Sequence, residues 1–197
     1  MVLAYHVIIS AFGFWLPNDP RGSWSEWIRK FELFRYGDAT KVSTRESVAH
    51  VAHDYQWRLE AKKELDFPPV KFSELQVQAI AQGFRNYIER SGVTFWAVSI
   101  LDDHIHAVFK RHRYESEKVN NLLKGELTKS LFHSGVHLFQ QIALTGKAPP
   151  PCFGRKWWTV YIDSERQLQQ AIPYVENNPE KEGKPKQSWD FVVPYRS

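Results

Sequence analysis

The spacing of apolar and polar residues changes several times along the chain, and each change marks an element. Residues 4–12 (AYHVIISAF) are dense in β-branched and aromatic side chains and predict a first strand. Leu75, Val77, Ile80, Phe84, Tyr87 and Ile88 repeat at helical spacing, with Ser73 as a start signal and Ser91-Gly92 as a stop. Residues 94–101 (TFWAVSIL) and 104–111 (HIHAVFKR) read as two strands joined by the turn Asp102-Asp103. A second helix is predicted over 116–133, with Val119, Leu122, Leu123, Leu127 and Leu131 on one side. Residues 157–162 (WWTVYI) predict a fourth strand. Ser164-x-x-Gln167 then has the form of a capping box before Leu168, Ala171, Ile172 and Val175, and Pro179 is expected to stop that last helix.

Two stretches break the pattern. Residues 13–67 hold a turn cluster, Pro17-Asn18-Asp19-Pro20-Arg21-Gly22, surrounded by Trp15, Trp24 and Trp27, then a helix expected over 45–63. Residues 134–156 are mixed and end in the stiff connector Pro149-Pro150-Pro151. The order strand, helix, strand, strand, helix, strand, helix predicts an α+β fold. It is a ferredoxin-like (split βαβ) antiparallel sheet with helices on one face, plus a C-terminal helix. One domain over 1–197 is expected, with an insertion at about 13–67 and a C-terminal tail at 180–197.

Composition narrows the class. A chain of 197 residues with 43% hydrophobic and 24% charged residues has the make-up of a single globular domain with a real core. Lysine and arginine number 26 against 22 acidic residues, a formal charge of +4 that favours a polyanionic partner. The single cysteine, Cys152, allows neither an intrachain disulfide nor a cysteine zinc site, so an intracellular, cytoplasmic setting is expected. The start lacks the features of a secretory signal, and the apolar run near 93–101 is far short of the roughly 20 residues a membrane span needs. A soluble protein with no membrane partner follows.

Three constellations could carry chemistry. In His104-Ile105-His106, strand alternation sends both imidazoles to one face, about 7 Å apart at the backbone and close enough to share a metal ion. The same tripeptide also arises by chance in a chain with eight histidines. Tyr174 and Asn178 lie four apart on the last helix and share a face beside its apolar stripe. A boundary tyrosine and a C-terminal cap would look the same. Basic residues gather in Lys110, Arg111 and Arg113 after the histidine strand, Lys124 and Lys129 on the next helix, and Arg155 and Lys156 before Trp157-Trp158. With Arg21, Arg29 and the tryptophans Trp15, Trp24 and Trp27, they could clamp nucleic acid or form an ordinary solvated face.

His-hydrophobe-His on a strand followed by a helical tyrosine resembles the single-tyrosine HUH transposases. Ala171-Ile-Pro-Tyr174-Val-Glu-Asn-Asn178-Pro179 is similar to the YI-x-x-NP signature of their REP-associated branch. The hairpin from Trp96 through His104-Ile-His106 to Phe109, the opening Tyr5-His6-Val7 and Leu123-Lys124-Gly125 are similar as well. The resemblance covers 1–12 and roughly 68–179. It implies that the last helix is catalytic, that Tyr174 is the nucleophile, and that His104, His106 and Asn178 hold Mg²⁺ or Mn²⁺. It also implies cleavage and rejoining of single-stranded or hairpin DNA through a 5′-phosphotyrosine, by a monomer or homodimer. Pro173, directly before Tyr174, departs from a regular helix and is expected to kink it. The alternatives are a hairpin-binding module without catalysis, a small histidine-site hydrolase, and a ligand-binding domain of the same fold.

Overall fold

A computed structural model describes residues 1–42, 48 and 51–196. Four strands form one antiparallel sheet: β1 (Ala4–Ser10), β2 (Phe95–Ile100), β3 (His104–Lys110) and β4 (Trp158–Ile162). Their spatial order is β2-β3-β1-β4, so each strand–helix–strand unit is split by an intervening antiparallel strand. The expected α+β class and four strands are present, each strand shorter than expected by one or two residues.

The helices are α1 (Tyr55–Lys63), α2 (Glu74–Ser91), α3 (Ser116–His133), α4 (Gln140–Leu144), α5 (Glu165–Glu176) and α6 (Asn178–Lys181), with a 3₁₀ turn at Phe31–Tyr36. Ser73 and Gln76 close a full capping box on α2, and Gly92 ends it with a left-handed φ of 71°. Gly83 lets α2 and α3 approach closely, because a Cβ there would lie 2.9 Å from Leu127 Cα.

Several local expectations change. The helix expected over 45–63 begins only at Tyr55, where the Asp54 carboxylate accepts the Trp57 N–H and caps it. Residues 43–47, 49 and 50 lie outside the described residues. The Ser164 box is half made: Ser164 Oγ accepts the Gln167 N–H, but Gln167 Oε1 takes the N–H of Asp163. Pro179 does not simply stop the chain's helix. It sits in the first turn of α6, where its missing N–H leaves no bond unmade. Helix α4 was not foreseen within the mixed segment.

Two layers cover the sheet. Tyr5, Val7, Ile9, Ile105, Ala107 and Phe109 pack against α2 and α3 in the main core. Ala4, Val108 and Ile162 face the other way, onto Leu168 and Val175 of α5. A bulge between Phe95 and Ala97 switches the parity of β2, so Phe95 joins the first layer and Ala97 the second. The insertion carries its own small cluster of Leu16, Leu33 and Ala61. The tail lies along the outer edge of β2. There Gln187 exchanges two hydrogen bonds with the Ile100 backbone (2.8 and 2.7 Å), and Phe191 stacks on Phe84. No helix among the described residues is long and apolar enough to cross a membrane.

Candidate active site

Residues paired across an antiparallel ladder share a face. His106 pairs with Ile8 and Ser99, His104 with Ser10, and His6 with Val108. His104, His106 and His6 therefore all project from the face that carries α5. Ring centroids lie 4.9 Å apart for His104–His106 and 5.2 Å for His6–His106. Tyr174, on α5, stands edge-on to both His106 (5.7 Å) and His6 (5.8 Å). Tyr174 follows Pro173 inside α5, which is helical through Glu176. Tyr174 keeps 44% of its surface exposed, whereas His106 keeps 4%.

The hydrogen bonds orient the rings. Asp103 Oδ1 accepts from His104 Nδ1 at 2.8 Å. Against the opposing effect of burial, His104 and Lys71 hold the Asp103 carboxyl below its usual range. His106 Nδ1 and His6 Nε2 lie 2.9 Å apart. Burial lowers His6 to about 4, and burial together with neighbouring His104 pushes His106 well below its ordinary value. Both rings are neutral at pH 7, so one proton sits between them. With Nδ1 of each sequence-identified histidine engaged by Asp103 or His6, the two Nε2 atoms are left uncommitted.

Among the described residues, no three His, Cys, Asp or Glu side chains form a cluster suited to a metal ion. A ligand set of His104, His106 and Asn178 would be completed by an amide. The donor chemistry fits such a set. Two neutral imidazoles offer lone pairs, and imidazole suits Mn²⁺ better than Mg²⁺. Asn178 is buried, and its side-chain nitrogen has no hydrogen-bond partner among the described residues, nor has Ser99 Oγ. The ends of an amide are interchangeable by rotation, so Asn178 has a polar group free to coordinate.

Beside Tyr174 a cavity of about 360 Å³ opens between α5 and β4, lined by His6, Val160, Tyr161, Gln167, Gln170 and Ala171 among others. Trp158 pairs with Ile8 and so borders the histidine face, and Trp24 packs edge-on against it at 5.0 Å.

The basic residues divide. Lys110, Arg111 and Arg113 are exposed at the far end of β3, with Lys110 about 13 Å along the strand from His106. Arg155 and Lys156 are exposed near the opposite end, just beyond Gly154, whose N–H bonds Ser10 O. Lys129 is exposed on α3 beside Glu126. Two others are tied up inside the fold. Arg21 is buried in a bidentate pair with Asp19 (2.8 and 2.9 Å) and lies over the Trp15 ring. Lys124 donates to the Gly154 and Arg155 carbonyls, and burial, with Lys156 nearby, lowers it to about 8.

Three participants were not singled out from the sequence. His6 stands one strand from the histidine pair; the resemblance includes it in Tyr5-His6-Val7 without a role, and the period-2 pattern of β1 is what places it on the histidine face. Lys181 places its ammonium 4.3 Å from the Tyr174 ring centroid. Phe14 stacks on His104 at 5.1 Å.

No protein-family model and no curated protein matches the sequence. Among solved structures, the fold is similar to that of a REP-associated tyrosine transposase bound to a REP hairpin. The two share 11% identity with a TM-score of 0.48, over 96% of this chain and 74% of the other. It is also similar to a candidate transposase from Deinococcus radiodurans R1, at 13% identity and a TM-score of 0.42, over 90% and 91% of the two chains.

Proposed function

We propose that this protein nicks and rejoins single-stranded, hairpin-containing DNA through a covalent bond to Tyr174, as a transposase-like enzyme. The observation that carries the reading is the half-exposed Tyr174 ring set edge-on to His106, on the sheet face where His104 and His106 leave both Nε2 atoms free. The resemblance of the His104-Ile-His106 and Tyr174–Asn178 motifs to single-tyrosine HUH transposases points the same way.

Tyr174 Oη bonds to phosphorus as the bond to the 3′ oxygen breaks. The phenolic proton passes to water at the open rim, and the 3′ oxygen leaves as a hydroxyl after taking up a proton. The 5′-phosphotyrosine keeps the energy of the broken ester, so attack by a 3′-hydroxyl reverses the step without a nucleotide cofactor. His104, His106 and Asn178 would hold a Mg²⁺ or Mn²⁺ ion, whose chemistry when bound is charge neutralisation at a non-bridging phosphate oxygen. His6 and Asp103 fix the orientation of the two ligand rings. Lys181 sets a positive charge beside the tyrosine, where an incoming phosphate would sit. The neutral, largely apolar cavity beside Tyr174 has room for an unstacked base next to the cleaved bond. This reading makes DNA the partner and the cytoplasm the setting, for a monomer or homodimer.

A denaturing gel tests the proposal. Labelled single-stranded hairpins from the DNA flanking the gene are mixed with protein and Mn²⁺ or Mg²⁺. A denaturant-stable protein–DNA band is expected for the wild type and not for Tyr174→Phe. Cleavage surviving in Tyr174→Phe overturns the nucleophile. A native-gel complex with no covalent band in the wild type leaves a hairpin-binding module instead.

A further inference from the structure

The insertion places two cations where nothing in the catalytic reading uses them. Arg58 and Lys62 are one turn apart on α1, so they share a helix face, where like charges ordinarily disfavour the helix. That face turns inward. Lys62 Nζ lies 5.5 Å from the centroid of the Phe14 ring, and Phe14 stacks on His104. The Arg58 guanidinium lies over Tyr55 at 5.1 Å, and its Nε is buried with no hydrogen-bond partner among the described residues.

The acids of this neighbourhood are already engaged. Asp19 is held by Arg21 in a bidentate pair. Asp103 accepts from His104 and pairs with Lys71. Among the described residues, neither Arg58 nor Lys62 forms an ion pair. A half-buried cation without a counter-charge is costly, and two together more so. Burial, with Arg58 beside it, accordingly lowers Lys62 to about 8.

We propose that Arg58 and Lys62 form a phosphate-binding site beside His104, built by the insertion, which grips the backbone of the bound nucleic acid. The guanidinium can offer parallel donors to a phosphate and the ammonium a point charge, with Phe14 as an apolar wall between them and the histidines. The nucleic-acid assignment rests on the proposed function; the anion site rests on the cluster alone.

Two measurements on the full chain separate these. In the first, melting temperature is followed with inorganic phosphate against chloride at constant ionic strength. Phosphate is expected to raise it in the wild type and in Lys63→Gln, whose lysine is exposed. It should not do so in the Arg58→Gln/Lys62→Gln double variant, while Lys62→Arg should keep the effect. Equal phosphate shifts in the wild type and the double variant overturn the site. In the second, binding of a labelled single-stranded oligonucleotide is titrated across salt concentrations. The double variant should bind more weakly, and its slope of log K against log salt should be shallower by about 1. An unchanged slope with the phosphate effect lost overturns the backbone assignment. No oligonucleotide binding by the wild type overturns the proposed function and that assignment with it, while the phosphate shift still decides the anion site.

Discussion

The two faces of the central strands are made from alternate residues of the same short segments, yet they are different materials. One face offers Val7, Ile9, Ile105, Ala107 and Phe109, all buried against α2 and α3. The other offers His6, Ser10, His104 and His106, partly roofed by α5. Backbone hydrogen bonding is common to both, and the histidine face also buries Ala4, Val108 and Ile162 against α5, so the ladder and that small apolar cluster hold the polar residues in register while the larger core lies on the other side. Such a division lets the polar side carry orphaned atoms, such as Ser99 Oγ and the Asn178 amide nitrogen, at a cost the other side offsets.

Substitutions on each face can break the comparison. The largest expected effect is Tyr174→Phe: complete loss of covalent DNA attachment, with binding and melting temperature retained. A drop in stability would mean that the tyrosine belongs to the packing of α5. Next, His106→Ala should slow metal-dependent cleavage by about a thousand-fold. Near wild-type rates that still need metal would remove it from the ligand set. On the apolar face, Ile9→Ala should destabilise by about 2–5 kcal/mol in urea unfolding, through the cavity it leaves. The cleavage rate per folded molecule should not change; a slower rate would show that the faces are not independent.

His6 sharpens the contrast, because it acts through His106. His6→Ala should reduce cleavage by about 10–100-fold and raise the Mn²⁺ concentration needed, and His6→Gln should recover part of both. An unaltered Mn²⁺ requirement would reduce His6 to packing.

The smallest effect lies away from the site. His137 accepts the Phe139 N–H on Nδ1, and its Nε2 lies 3.2 Å from Cys152 Sγ, itself raised to about 11 by burial. Burial lowers the His137 pKa below 6.5 in the fold, so the unfolded chain takes up a proton first as pH falls. Its contribution is complete above about pH 6.5 and is lost below it. His137→Gln should therefore show a shallower fall in urea midpoint between pH 7.5 and 5 than the wild type. Parallel falls would contradict this.

Much of the fold was legible because it depends on local rules. Ser73 and Gln76 cap α2, the Asp102-Asp103 turn joins β2 to β3, and α3 spans 116–133 as expected with Val119, Leu123, Leu127 and Leu131 buried, whereas Leu122 and, on α2, Leu75 face solvent. The start of α1 was misread, since the polar run before Asp54 gives no sharp signal and the cap decides. Arg21 and Lys124 looked like free surface charge because nothing in a linear reading shows a carboxylate or a carbonyl folding back onto them.

By itself, then, the sequence determined which residues share a face. Strand parity puts His104 with His106, because that follows from backbone geometry, whereas the single helix expected to carry Tyr174 and Asn178 is two, α5 ending at Glu176 and α6 beginning at Asn178, with Tyr174 exposed and Asn178 buried. Only the tertiary structure decided which faces meet. The β1–β3 register set His6 against His106, α5 laid Tyr174 beside them, and the insertion stacked Phe14 on His104 with Lys62 against the Phe14 ring. Those pairings join residues far apart in the chain, and they follow from burying one apolar face of the sheet and one of each helix, which no local pattern records.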